Sequence, residues 1–213
     1  MPDDRPPPNL IMGDRYYIGK GAFVEAPNTK PSLFFDSLAN SLKRTQVTGP
    51  IGDEKILLDK GLKSFETMLK ASHKAGGKAI FIGNGGSAAI ASHMAVDYSK
   101  NKGVRAVALN DASMLTMIAN DYGYDRVFSK QLEWQAREED VVVIISSSGR
   151  SLNIIDAAGA ALERGCRGLV TFSGMNPNNQ LRRKGNLNFY VPCLDYGVVE
   201  LAHLALLHSV AST

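Results

Sequence analysis

The sequence predicts an α/β protein in which a parallel sheet is covered by helices on both faces. Three observations carry this reading. From residue 78 onward, apolar runs of strand length alternate with longer segments of helical spacing. The first such run, Lys78–Ile82, opens into a glycine turn, Gly83-Asn84-Gly85-Gly86-Ser87. A later one, Val141–Ile145, opens into a turn of hydroxyls, Ser146-Ser147-Ser148-Gly149-Arg150-Ser151, followed by a helix-like segment to about Arg164. Ligands of parallel sheets bind beyond the carboxyl ends of the strands, which is where both turns fall.

The first 32 residues are punctuated by proline, including Pro6-Pro7-Pro8, and are expected to form a flexible arm or to pack on a neighbour. Residues 33–213 are expected to form a single domain. A helix is predicted over Ser32–Arg44, where Leu33, Phe34, Leu38 and Leu42 fall near helical spacing. Thr48–Gly52 breaks it, and a longer helix is predicted from Asp53 to about Lys74, ended by Gly76-Gly77. Two helices ahead of an α/β unit offer a place for subunits to pack. After the glycine turn come a helix to about Tyr98, a strand over Val104–Leu109, a short helix over Ser113–Asn120 and another over Phe128–Arg137. Beyond the serine turn and its helix, strands are predicted over Gly168–Phe172 and Leu187–Val191, separated by a polar loop through Asn176–Asn179. A helix over Val198–Val210 closes the chain.

Composition narrows the function classes. The 24 basic and 21 acidic residues nearly balance and form no dominant basic block, so a nucleic-acid surface finds no support. Two cysteines, Cys166 and Cys193, argue against a disulfide framework and for a reducing compartment. No uncharged run reaches the ~20 residues of a membrane helix, and no signal-like apolar stretch opens the sequence. A cytoplasmic protein without membrane association is expected.

The serine turn reads as a phosphate cradle. A helix N-terminus presents unpaired N–H groups and a partial positive charge, and Ser146, Ser147, Ser148 and Ser151 add neutral donors. Serine runs also serve as plain caps and turn formers. The glycine turn lacks the spacing of a dinucleotide fingerprint, because position 88 is Ala, and lacks the Gly-Lys-Ser/Thr of a P-loop, so no nucleotide cofactor is expected. On the following helix, His93 and Asp97 are four apart and share a face. Such a pair can share a proton, a substrate or a metal, or can be an ordinary surface pair. Glu200, His203 and His208 interrupt the aliphatic C-terminal helix, and histidines there can equally be polar groups tucked against the core.

Gly83–Ala88, Asn120-Asp121-Tyr122-Gly123 and Ile145–Ser151, in that order and at those intervals, resemble the sugar isomerase (SIS) domain family, and its phosphoheptose isomerase branch in particular, across about residues 50–210. The resemblance implies a flavodoxin-like three-layer α/β/α sandwich with a central parallel sheet. It implies aldose–ketose isomerisation of a phosphorylated sugar through an enediolate, sedoheptulose 7-phosphate above all, in bacterial heptose synthesis. Assembly as a homotetramer with active sites at subunit interfaces is implied too, as is one zinc ion per site. Carried over residue by residue, Asp97 is the proton-abstracting base and His208 its acid/base partner. Ser146, Ser147, Ser148 and Ser151 hold phosphate, while Asn84, Gly85, Gly86, Ser87, Asn120, Asp121 and Glu200 contact the sugar. His93, Asp97, Glu200 and His208 form the metal set, and His203 has no counterpart.

Geometry qualifies that set. Eight helical residues separate Glu200 from His208 by ~12 Å along the axis, whereas ligands of one zinc converge at ~2 Å from it. Both reach one ion only if Glu200 precedes the regular helix or if different subunits supply them. The chain also departs from the family pattern. The resembling enzymes usually carry Glu where this chain has Asp97, and Gln where it has Glu200. Asp195-Tyr196-Gly197-Val198 lacks their Asp-Arg pair. These departures keep open a non-catalytic SIS module that binds a phosphosugar, and an isomerase for another phosphosugar.

Overall fold

The computed structural model describes residues 11–12, 15–17, 23–25, 31–50 and 54–212. The chain divides into two units, residues 1–37 and 38–213. In the first, β1 (Ile11–Met12), β2 (Arg15–Tyr17) and β3 (Phe23–Glu25) form an antiparallel sheet in sequence order. Most of the arm expected over residues 1–32 lies outside the described residues.

α1 (Pro31–Lys43) occupies the span predicted for it and contributes Leu38 and Leu42 to the apolar packing of the second unit. The structure then corrects the sequence reading. Instead of a bare break, β4 (Gln46–Thr48) and β5 (Lys55–Ile56) pair antiparallel, so the long helix expected from Asp53 begins only at Leu58, as α2 (Leu58–Lys74). Val47, 2% exposed, explains the pairing. It packs against Gly61 so closely that a Cβ there would lie 2.7 Å from Val47 Cγ1, which seats β4 between β10 and the edge strand β5 with its apolar side against α2.

The remaining elements alternate as expected: β6 (Ala79–Gly83), α3 (Gly86–Lys100), β7 (Ala106–Ala108), α4 (Ala112–Tyr122), α5 (Ser129–Gln135), β8 (Val141–Ser146), α6 (Leu152–Glu163), β9 (Gly168–Gly174), β10 (Leu187–Val191) and α7 (Tyr196–Ala211). The sheet order is β5-β4-β10-β9-β8-β6-β7. Its five strands β10 to β7 run parallel, and β4 extends it antiparallel along β10.

Period-two alternation divides the sheet into two apolar faces. Phe81, Val143 and Phe172 pack with Phe65 of α2, Met94 and Tyr98 of α3 and Leu207 of α7. Ile80, Ile82, Val142 and Ile144 pack with Ile118 of α4, Leu132 of α5 and Ile154 of α6. Burying each large side chain is worth roughly 1.5–3 kcal/mol, which is why β6 and β8, buried at every position, read as continuous apolar runs. The crossover from β6 leads through α3 to β7, whereas that from β8 leads through α6 to β9 on the other side and over the other face. The chain therefore reverses its winding between β6 and β8, and a crevice opens beyond their carboxyl ends at such a switch point.

Candidate active site

Two turns meet at this crevice. Asn84, after β6, and Asn153, in the first turn of α6, exchange reciprocal amide hydrogen bonds of 2.9 and 3.0 Å. The amide of Asn84, expected to contact sugar, is thus engaged in tying the glycine turn to the serine turn. Sequence reasoning passed over Asn153; its signal is a polar residue at the second position of a helix whose first turn is otherwise apolar.

In the serine turn, Ser146 and Ser147 are buried and Ser148 and Ser151 half-buried. The amide of Gly149 donates to Ser146 Oγ at 3.2 Å. Ser147 Oγ is buried with no hydrogen-bond partner among the described residues. Ser151 stands at the N-cap of α6 in extended conformation, yet its hydroxyl makes no capping bond. The first amides of α6 are left without a side-chain acceptor, and an orphaned hydroxyl lies in the same turn. Both features suit an anion.

Gly85 and Gly86 lead into α3, and Ser87 is buried in its first turn. Glu200, in the first turns of α7, lies against Gly86: a Cβ on that glycine would come within 2.4 Å of Glu200 Oε2. Burial raises the Glu200 carboxyl above its ordinary pKa, and the N-terminal end of α3 is the electrostatically favourable neighbour for its anion. Asn120 and Asp121 stand exposed near the end of α4, joined by a bond of 2.8 Å from Asn120 Nδ2 to Asp121 Oδ1.

The second cluster lies further along α3. His93 Nε2 is 3.3 Å from His208 Nε2 and 3.6 Å from Asp97 Oδ2, while His208 Nδ1 lies 3.3 Å from the same carboxylate oxygen. His93, Asp97 and His208 form the group whose ligand atoms all lie within 4.8 Å of one another. Glu200 of the same chain is not part of it, in keeping with its axial separation from His208. Two imidazole nitrogens facing each other at this distance need a proton or a cation between them. Tetrahedral zinc with bonds of ~2 Å sets its ligand atoms about 3.3 Å apart; with one nitrogen from each imidazole and one Asp97 oxygen lying within 4.8 Å of one another, the donor set suits a metal held by three ligands once the side chains draw closer. Asp97 is 17% exposed and the two imidazoles 53% and 38%, leaving the cluster accessible.

His203 is separate. It is fully buried, bonded through Nε2 to the Ser173 carbonyl at 3.0 Å and packed edge-on against Phe172. Burial pushes its pKa down to about 4, so it is a neutral core histidine.

A parallel sheet with a switch-point crevice, an uncapped helix N-terminus and a His–Asp–His group mark an α/β protein whose surface suits an anion and acid–base or metal chemistry. The SIS domain family matches residues 55–170. A phosphoheptose isomerase of Geobacter sulfurreducens is 41% identical over 157 residues, covering 70% of this chain and 81% of its own. One from Burkholderia pseudomallei is 36% identical over 181 residues, covering 81% and 90%. The structure of a phosphoheptose isomerase from Neisseria gonorrhoeae superposes with a TM-score of 0.71 at 30% identity, over 84% of this chain and 92% of that one. The chain belongs to the SIS domain family, in its phosphoheptose isomerase branch.

Proposed function

We propose that this chain is a phosphoheptose isomerase that interconverts sedoheptulose 7-phosphate and the corresponding aldoheptose 7-phosphate. The observation that carries the reading is the convergence of His93, Asp97 and His208 from two helices, beside a turn suited to phosphate.

Ser146, Ser147, Ser148 and Ser151 hold the phosphate, which as a remote handle fixes the reacting end. Gly85, Gly86, Ser87, Asn120, Asp121 and Glu200 face the sugar hydroxyls. Asp97 takes a proton from the carbon beside the carbonyl, and the electron pair moves onto the carbonyl oxygen to give the enediolate. The proton returns to the neighbouring carbon, while His208 exchanges a proton between the two oxygens. With Asp97 Oδ2 facing the histidines, Oδ1 remains for the proton. His93, Asp97 and His208 would hold zinc, which when bound supplies a positive charge for the developing oxyanion. The enzyme would act as a homotetramer in the cytoplasm, with residues of neighbouring subunits completing each site. Among the described residues no helix is long and apolar enough to cross a membrane.

Incubation of purified protein with sedoheptulose 7-phosphate, with and without zinc, should yield the aldose. Asp97→Ala should lower turnover by roughly 10²–10⁴-fold while phosphosugar binding persists; an unchanged rate would remove Asp97 from the role of base. A second reading is a non-catalytic phosphosugar-binding module, favoured by the position of Glu200 outside the His–Asp–His group. Thermal stabilisation by the phosphosugar without any conversion would select it.

A further inference from the structure

We infer that Asn179, in the loop between β9 and β10, is a positioning residue that aims the amides of the serine turn at the phosphate. The inference rests on the phosphosugar reading of that turn. Asn179 is 2% exposed, unusual for an asparagine in a loop, and every polar atom of its amide is engaged. Nδ2 donates to the Asn176 carbonyl at 2.8 Å and lies 3.3 Å from both the Gly174 carbonyl and Ser173 Oγ. Oδ1 accepts from the Arg182 amide at 3.0 Å.

The loop so fixed lies directly behind the serine turn. The Ser147 carbonyl accepts from the Gly174 amide at 3.0 Å, and the Gly149 carbonyl accepts from the Leu181 amide at 3.1 Å. In a planar trans peptide the carbonyl of one residue and the N–H of the next point in opposite directions. Anchoring the Ser147 carbonyl to the end of β9 and the Gly149 carbonyl to the loop therefore turns the N–H groups of Ser148 and Arg150 the opposite way, to the open side of the turn. Asn179 also fills the space beside Gly149. That residue has φ +60°, and a Cβ there would lie 2.1 Å from Asn179 Oδ1. Glycine is thus required twice over, and the asparagine closes the back of the turn.

Further bonds brace the loop. Arg182 donates to the Pro177 carbonyl at 2.8 Å and to Gln46 Oε1 at 2.6 Å, with its guanidinium 4.1 Å from the centre of the Tyr190 ring. Tyr190 donates to the carbonyl of Met175, which adopts a left-handed φ of 58°. A non-glycine residue in that region persists only where its surroundings hold it. The backing loop is built to stay in place, and Asn179, packed beside Gly149, fixes the segment whose Leu181 amide binds the turn.

The test compares Asn179→Ala and Asn179→Ser with the parent full-length chain. Two quantities are read: the affinity for inorganic phosphate by calorimetry, and kcat and KM on sedoheptulose 7-phosphate. Asn179→Ala should weaken phosphate binding and raise KM by about tenfold each, with kcat within about threefold, because the missing interaction serves binding rather than the proton transfer. Asn179→Ser keeps a side-chain acceptor for the Arg182 amide and should recover part of the loss. If Asn179→Ala does not fold, Asn179→Ser is read alone and should weaken phosphate binding by at least about threefold. Phosphate affinity within twofold of the parent, in either folded variant, overturns the inference and leaves Asn179 a stabilising residue only. Phosphate binding by a parent chain that isomerises nothing would sink the proposed function while leaving the role of Asn179 decidable from phosphate affinity.

Discussion

His203 makes the fold sensitive to acid, by an amount that follows from its surroundings. The imidazole is fully buried, its Nδ1 has no hydrogen-bond partner among the described residues, and burial lowers its pKa to about 4 from the 6.5 of an ordinary histidine. The folded state therefore binds a proton less readily than the unfolded chain. The sign follows: stability from the neutral ring is complete above about pH 6.5 and drains away as pH falls toward 4. One pKa unit corresponds to ~1.4 kcal/mol, so the whole effect is about 3 kcal/mol, of which about 2 kcal/mol is lost between pH 7 and pH 5. His203→Gln keeps an N–H for the Ser173 carbonyl but does not titrate. Urea unfolding followed by circular dichroism at several pH values measures both chains, and other titrating groups cancel in the difference. The variant should lose about 2 kcal/mol less than the parent over that interval. Parallel stability profiles for the two chains would refute the burial argument. A steeper loss in the variant would refute it as well.

Three further outcomes are expected. Asp140, 1% exposed, accepts from the backbone amides of Lys78 and Arg137 at 2.9 Å each and pairs with Lys78 Nζ at 2.6 Å; Asp140→Ala should cost about 3 kcal/mol in denaturant unfolding, because it strands these donors. Asn84→Ala and Asn153→Ala should each destabilise, and a double-mutant cycle on thermal unfolding should give a coupling of about 1 kcal/mol, against zero if the amides act independently. Gly86→Ala drives a Cβ into Glu200 and should cost roughly 1–3 kcal/mol; adding Glu200→Ala should recover most of that loss, as read by the unfolding midpoint.

What the sequence made legible follows from which physical signals are local. Runs such as Val141–Ile145, buried at every position, and turns such as Gly83–Ser87 announce themselves within a few residues, so the parallel strands, their helices and the serine turn between β8 and α6 were readable. β4 and β5 were not, because strands of three and two residues carry little pattern, and the pairing of β4 depends on β10, far along the chain, and on the packing of Val47 against Gly61. Helical spacing placed His93 and Asp97 together, but only the packing of α7 on α3 could bring His208 between them. The same spacing separated Glu200 from His208, and Glu200 duly lies against Gly86. Asn153 and Asn179 escaped notice because an asparagine in a first turn or a loop looks ordinary until its burial and partners are known.

The contact between α3 and α7 determines whether Asp97 and His208 meet. Neither is held by the sheet directly, and both imidazoles of the cluster are substantially exposed. What fixes their register is the residue next to each. Tyr98, immediately after Asp97, is fully buried with Phe81 and Phe65 around its ring, and its hydroxyl donates at 3.0 Å to the carbonyl of Leu207, immediately before His208. A buried phenol cannot go without its partner cheaply, so sliding α7 along α3 would break this bond and expose apolar surface from both helices. The core thereby dictates the 3.3 Å separation of Asp97 and His208 on the surface above it. The aspartate, one methylene shorter than the glutamate usual in the resembling enzymes, still meets His208 because the helices bring the imidazole to it. What the shorter side chain gives up is reach toward the substrate. Under the proposed function, compensation would come from the groups around Glu200, which lies against the first turn of α3 where those enzymes usually carry a neutral amide.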